Sequence, residues 1–223
     1  MKKVKNYYDE FSSYYDENRS NRYFTLINSL EKEYLDSFIE NKKVLEVGCG
    51  TGIILKEVAG KCCAFGIDLS KDMLVKAKEK NLKVSQATAL SLPFKDETFD
   101  VTYSFKVLPH IKEVQTAVNE MKRVTKKGGL LVLEFYNPTS IKNLVNYFKR
   151  GEVFTRYDSF QEIKAITGNI KEFRGIRIIT LSAFLIDLPV IGKIISTLER
   201  RLSNTFLNTL GGYFIVVVEN QAK

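Results

Sequence analysis

Apolar residues recur at helical spacing through the first forty positions. Tyr7, Phe11 and Tyr14 stand at i, i+4 and i+7, and Tyr8 and Tyr15 lie seven apart. After a polar break at 17–21, Tyr23, Ile27, Leu30, Tyr34 and Phe38 continue the same spacing. The pattern then changes to short apolar runs at 43–47, 63–67, 82–85, 99–104 and 130–135. Such runs read as strands buried on both faces. Helical segments at 53–58 and 71–80 separate the first three, and Ile111, Val114, Val118 and Met121 mark one face of a third helix. Strands alternating with helices predict an α/β fold with a parallel sheet. The last third predicts helices at 140–149 and 158–166, a strand at 174–180 and an apolar helical insertion at about 184–202. Gly211-Gly212 opens a final strand at 213–218. Two late strands joined by one insertion predict an antiparallel edge on a mostly parallel sheet.

Composition adds boundaries. The chain has 223 residues, 44% apolar and 27% charged, which excludes disordered and collagen-like classes and suits one large domain. The three cysteines, Cys49, Cys62 and Cys63, form no spaced framework, so a reducing, cytoplasmic location is expected. No apolar run follows the basic residues 1–6, so no signal peptide is expected. The most apolar stretch, 181–195, is broken by Asp187, Pro189, Gly192 and Lys193, and a bilayer span needs about 20 apolar residues. A single histidine, His110, and no Cys-x-x-Cys leave too few ligands for a zinc site, so no metal is expected. No Gly-x-Ser-x-Gly elbow accompanies His110 to suggest a serine triad. The net charge of +8 lies mostly in residues 137–223, where 12 basic residues face 7 acidic ones. That excess reads as a solvated lysine-rich surface or as a footprint for an anionic partner.

The most informative segment is Val44-Leu45-Glu46-Val47-Gly48-Cys49-Gly50-Thr51-Gly52, which follows a predicted strand and precedes a helix. That is the context a nucleotide-binding glycine loop requires. The next strand ends on Asp68, 18 residues after Gly50, where a carboxylate can accept both ribose hydroxyls. Dinucleotide loops use G-x-G-x-x-G around a pyrophosphate. Here the spacing is G-x-G-x-G, Ile53 follows, and Glu46 stands two residues before the first glycine. An acid there would repel a pyrophosphate and suit an ammonium or sulfonium. Both features favour S-adenosylmethionine over NAD.

On these motifs the sequence resembles the class I S-adenosylmethionine-dependent methyltransferases, of the small-molecule type that includes ubiquinone and menaquinone biosynthesis enzymes. The resemblance runs over about residues 40–136. It includes Gly66-Ile67-Asp68-Leu69-Ser70 with Met73-Leu74, Leu92-Pro93-Phe94 with Phe99-Asp100-Val101, residues 107–111, and Gly128-Gly129-Leu130. It implies a Rossmann-like, seven-stranded, mostly parallel sheet with an antiparallel final strand and helices on both faces. It implies S-adenosylmethionine as cofactor and S-adenosylhomocysteine as product. By resemblance, Glu46 and the loop glycines Gly48, Gly50 and Gly52, with Cys49, hold the methionine end. Asp68 holds the ribose, and Leu69 and Met73 pack near the adenine or ribose. Thr88 and Ala89 lie where the adenine edge is read, and Ser104 and Phe105 lie under the methionine. The family commonly has Asp where this chain has Thr88, a neutral and therefore weaker acceptor.

Methyl transfer from a sulfonium needs alignment, exclusion of water and sometimes removal of a proton. His110, just past the fourth strand, reads either as a general base or as a helix-start histidine bonded to backbone. Tyr136, just past the fifth, reads either as a substrate-orienting group or as a stacked core tyrosine. Glu134 is expected inside its strand. Asn137-Pro138 lacks the second proline of an amino-group DNA methyltransferase loop, since Thr139 occupies that place. Residues 1–40 read as a helical lid that brings Tyr8 and Tyr15 over the cofactor, and 41–223 as the methyltransferase domain. The 184–202 insertion reads as core, as a dimer face, as the roof of a greasy pocket, or as a peripheral membrane contact. The expected function is methylation of a small, apolar or lipid-like acceptor by a monomer or homodimer. The alternatives are a tRNA or rRNA methyltransferase, weakened by the lack of an RNA-binding module, and a cofactor-binding protein without turnover.

Overall fold

The first predicted run becomes β1 (Lys43–Val47), whose last four residues are all buried, and the chain then turns through the glycine loop into α4 (Ile53–Val58). The computed structural model describes residues 2–140, 153–180 and 182–221. Before β1 come α1 (Lys2–Phe11), a 3-10 turn (Ser12–Tyr14), α2 (Tyr15–Arg19) and α3 (Arg22–Ile39). After α4 come β2 (Cys63–Asp68), α5 (Lys71–Glu79), β3 (Val84–Gln86), β4 (Phe99–Ser104), α6 (Val114–Val124) and β5 (Thr125–Tyr136). The last part holds α7 (Phe160–Thr167), β6 (Ile170–Ile176), α8 (Ala183–Asp187), α9 (Pro189–Leu202) and β7 (Tyr213–Glu219).

The seven strands form one sheet in the order β3-β2-β1-β4-β5-β7-β6. The pairs among β1 to β5 are parallel, and β7 runs antiparallel to both β5 and β6. Alternate residues on each strand feed opposite faces. Val44, Val132 and Val217 pack with Ile27 and Leu30 of α3 and Leu55 of α4. Leu45, Leu131, Leu133 and Val216 pack with Val118 and Met121 of α6 and Ile163 of α7. Helices therefore cover both faces, as the resemblance implied. Among the described residues no helix is long and apolar enough to cross a membrane.

Local chemistry sets the boundaries. Asn21 Oδ1 caps α3 by accepting the Phe24 N–H at 3.0 Å, and Ser159 with Glu162 forms a capping box on α7. β3 lies at 84–86 rather than 82–85 and α7 at 160–167 rather than 158–166, and three further departures from the sequence reading have a clear cause. β5 begins at Thr125 rather than 130, because the polar Thr-Lys-Lys-Gly-Gly lead pairs with β4 across a bulge between Phe99 and Val101. β6 occupies 170–176 rather than 174–180, because Arg177 turns into a left-handed backbone, φ 62°. The 184–202 stretch is two helices, since Pro189 starts α9 after an extended Leu188. The predicted helix at 140–149 falls almost wholly outside the described residues.

The first forty residues divide. α3 is core, with Leu35 and Ile39 fully buried, whereas α1 and α2 lie across the sheet's carboxyl edge.

Candidate cofactor site

The loop after β1 needs glycine at two positions for different reasons. Gly48 takes φ 82°, and a Cβ there would collide with the Val107 side chain. Gly50 takes φ 53°, yet a Cβ there would meet nothing within 4 Å. Gly48 therefore lets the loop pass beneath Val107, and Gly50 keeps its surface open. The Gly48 and Cys49 N–H groups donate to the Ile67 carbonyl at 2.7 and 2.9 Å, locking the loop to the end of β2. The Asp68 carboxylate accepts the Gly50 N–H on Oδ2 and the Ser70 N–H on Oδ1, both at 2.8 Å. Burial raises its pKa, against the pull of these N–H groups.

Glu46 is the last but one residue of β1, just before this loop. It is 4% exposed and accepts the Tyr103 hydroxyl on Oε2 at 3.0 Å. Burial dominates and pushes its pKa up to about 8. A buried acid of this kind gains from a cation placed beside it.

A cavity of about 500 Å³ opens over these groups, a size typical of a small-molecule site. Of the cofactor residues expected from the sequence, Tyr8, Tyr15, Glu46, Gly48, Cys49, Gly50, Asp68, Leu69, Met73, Thr88, Ala89 and Phe105 all line it. The Thr88 hydroxyl accepts the Leu90 N–H at 3.3 Å. Three expected residues do not line it. Gly52 is the left-handed cap of α4, φ 77°. Ser104 is fully buried and spends its hydroxyl on the Val47 carbonyl at 2.8 Å, strapping β4 to β1. Tyr136 stacks on Tyr213 of the neighbouring strand β7 with ring centroids 4.5 Å apart and stands edge-on behind His110 at 6.0 Å.

α1 and α2 are fastened over the cavity by polar bonds. Ser70 Oγ donates to Asp9 at 2.5 Å, and Asp16 meets Thr51 Oγ1 at 2.5 Å and Lys80 Nζ at 2.6 Å. These bonds hold Tyr8 and Tyr15 against the opening.

His110 lines the cavity from the turn after β4. Its Nδ1 lies 2.9 Å from the Phe154 carbonyl, which can only accept, so Nδ1 carries the proton and Nε2 the lone pair. Burial lowers its pKa and keeps the ring neutral at neutral pH.

Three cationic side chains that were not among the expected cofactor residues also line this cavity, Arg19, Lys106 and Lys112. Arg19 stacks over Phe24 at 4.0 Å and Tyr15 at 5.2 Å, and its buried Nε has no acceptor among the described residues. Its only sequence signal is the four-residue spacing from Tyr15. Lys106, at φ 60°, reaches Asn28 Oδ1 at 2.9 Å and Glu31 Oε2 at 2.6 Å, partners more than seventy positions away. Val153 and Phe154 also line the cavity and carried no signal. Among the described residues no group of three His, Cys, Asp or Glu side chains is placed to hold a metal.

This geometry fits S-adenosylmethionine. Glu46 suits its cationic methionine end, Asp68 its ribose hydroxyls, and Arg19, whose buried Nε has no hydrogen-bond partner among the described residues, a carboxylate.

Comparison with known proteins agrees. Residues 45–133 match the methyltransferase domain family. An uncharacterized protein of Methanocaldococcus jannaschii is 30% identical over 174 residues, covering 77% of this chain and 80% of that one. Of another protein from the same organism, 33% identical, the chain spans 57%. A demethylmenaquinone methyltransferase of Geobacillus sp. (strain WCH70) is 35% identical over 157 residues, covering 61% of this chain and 66% of that enzyme. An S-adenosylmethionine-dependent methyltransferase structure from Thermotoga maritima shares the fold, with a TM-score of 0.69 at 19% identity over 95% of this chain and 98% of that one. With its glycine loop, Asp68 and reversed final strand, the chain belongs to the class I S-adenosylmethionine-dependent methyltransferases.

Proposed function

We propose that this protein transfers a methyl group from S-adenosylmethionine to a small, largely apolar acceptor bound beside His110. One observation carries the reading. A single cavity wall runs from Asp68 and Thr88, after β2 and β3, past the β1 loop, to His110 and Phe154, after β4 and β5. One end suits the nucleoside and the other leaves room for a second molecule.

When bound, the cofactor supplies a methyl group already activated on sulfur. The chain's own residues have simpler tasks. Glu46 and Arg19 bind the two charged groups of the methionine end, and Asp68 accepts the ribose hydroxyls. Thr88 and Ala89 face the adenine edge. Tyr8 and Tyr15 exclude water, with α1 and α2 acting as a lid. His110 accepts a proton at Nε2 from the hydroxyl or amine that is methylated.

The apolar part of the wall, with Ile111, Val153 and Phe154, favours an acceptor with an apolar ring or chain. The similarity to a demethylmenaquinone methyltransferase points the same way. The free cysteines fit a reducing, cytoplasmic setting.

The test is methyl transfer from tritium-labelled S-adenosylmethionine into a host extract split into organic-soluble, aqueous and RNA fractions. Label in the organic phase supports the reading. Label in RNA, or calorimetric preference for NAD over S-adenosylhomocysteine, overturns it.

A further inference from the structure

The insertion between β6 and β7 carries an apolar face that the fold leaves uncovered. Phe184 of α8 is 71% exposed, and so is Val190 of α9. Ile191, Ile194 and Leu198 continue the exposed face along α9, and Phe206, on the following turn, is 83% exposed. None of these side chains lines the cofactor cavity, so the insertion does not roof it.

The face is held outward by its opposite side. Glu199 is fully buried and accepts the N–H groups of Ile178, Ile179 and Thr180 at 2.8 to 3.1 Å. Gly192 packs against the Ile186 carbonyl, where a Cβ would not fit. Arg200 grips Glu33 of α3 at 2.8 Å. α9 therefore cannot roll its apolar side chains inward without breaking these bonds.

The charge around the face is specific. The one acid of α9, Glu199, is consumed inside, whereas Lys193 and Arg201 are exposed; on α8 one carboxylate, Asp187, is exposed, so the cations outnumber the acids along the two helices. At 100° per residue Lys193 borders the apolar stripe and Arg201 continues it one turn beyond Leu198. An apolar stripe edged by cations matches a bilayer surface, where long basic side chains reach the headgroups. The patch is small for a protein interface, which takes about 20 to 30 residues a side.

We propose that α8, α9 and the following turn form a peripheral docking face for an anionic lipid bilayer. The apolar side chains enter the interface, and Lys193 and Arg201 contact the phosphates.

The test is co-sedimentation of the full chain with phosphatidylglycerol–phosphatidylcholine vesicles and with phosphatidylcholine alone. The expected result is binding to the mixed vesicles, weaker binding to the neutral ones, and release by salt. Ile194→Glu is expected to lower vesicle partition at least tenfold and to leave S-adenosylhomocysteine affinity unchanged, which shows the variant is folded. Absence of sedimentation, or equal sedimentation of wild type and Ile194→Glu, overturns the proposal. A wild-type dimer that Ile194→Glu converts to monomer, without vesicle binding, overturns it in favour of self-association.

Discussion

The side-chain carboxyl of Glu134 accepts the backbone N–H of Lys106 at 3.0 Å. The bond joins the interior of β5 to the residue that follows Phe105 on the cavity wall, and it holds that residue at φ 60°. Glu134 is fully buried, and burial, with the Glu31 carboxyl nearby, drives its pKa well up. Its Oε1 is the acceptor that the Lys106 N–H uses. Glu134→Gln keeps that oxygen and is expected to stay near wild-type stability. Glu134→Ala orphans the Lys106 N–H and is expected to cost roughly 1–3 kcal/mol, measured by urea unfolding.

Asp68 has two duties, so its removal should register twice. Asp68→Ala is expected to weaken S-adenosylmethionine binding at least tenfold, because a charged acceptor is worth about 1.5–3 kcal/mol. It is also expected to lower the unfolding temperature, since the Gly50 and Ser70 N–H groups lose their acceptor. Calorimetry and a melting curve separate the two effects. Unchanged affinity would remove Asp68 from the ribose.

Glu46 makes binding depend on pH. Its pKa rises from an ordinary 4.5 to about 8, so the free folded protein holds a proton that the unfolded chain has lost between those values. Stability from this group is complete below about 4.5 and lost as pH rises through 8. A cationic ligand favours the carboxylate, so binding below pH 8 releases the proton. Affinity should climb from pH 6 to 8 and then level, by up to about tenfold per unit. Titration calorimetry in buffers of different ionisation enthalpy reads the proton release, and Glu46→Gln should abolish it.

His110 should separate binding from turnover. His110→Ala is expected to leave cofactor affinity intact and lower kcat by roughly 100- to 10,000-fold. With its pKa held below 6.5 by burial, the wild-type rate should rise with pH below that value and be flat above it. Loss of cofactor binding in the variant would make the ring structural instead.

The lid has a polar latch at Asp16, which meets both Thr51 and Lys80. Asp16→Ala is expected to speed cofactor release a few-fold in stopped-flow measurements, because partly exposed pairs of this kind are worth about 0.2–1 kcal/mol.

The strand and helix alternation, the glycine loop and the acid that faces it are all legible in the order of residues. These are local. A left-handed turn demands glycine at Gly48, a doubly buried strand demands an apolar run, and a loop bonded to the end of β2 demands an acid close by in sequence. The polar lead of β5 was hidden because its pairing with β4 uses a bulge and no apolar pattern. Which side chains face the cavity depends on how distant elements pack. Tyr136 turned to Tyr213 because the antiparallel β7 places an aromatic ring beside it. Ser104 was spent on a neighbouring strand. Lys106 and Arg19 gained their meaning from partners or from the lack of them: Glu31 is 75 positions from Lys106, and the buried Arg19 Nε has no hydrogen-bond partner among the described residues. Burial and charge pairing depend on which elements meet across the sheet, and no local pattern carries that information.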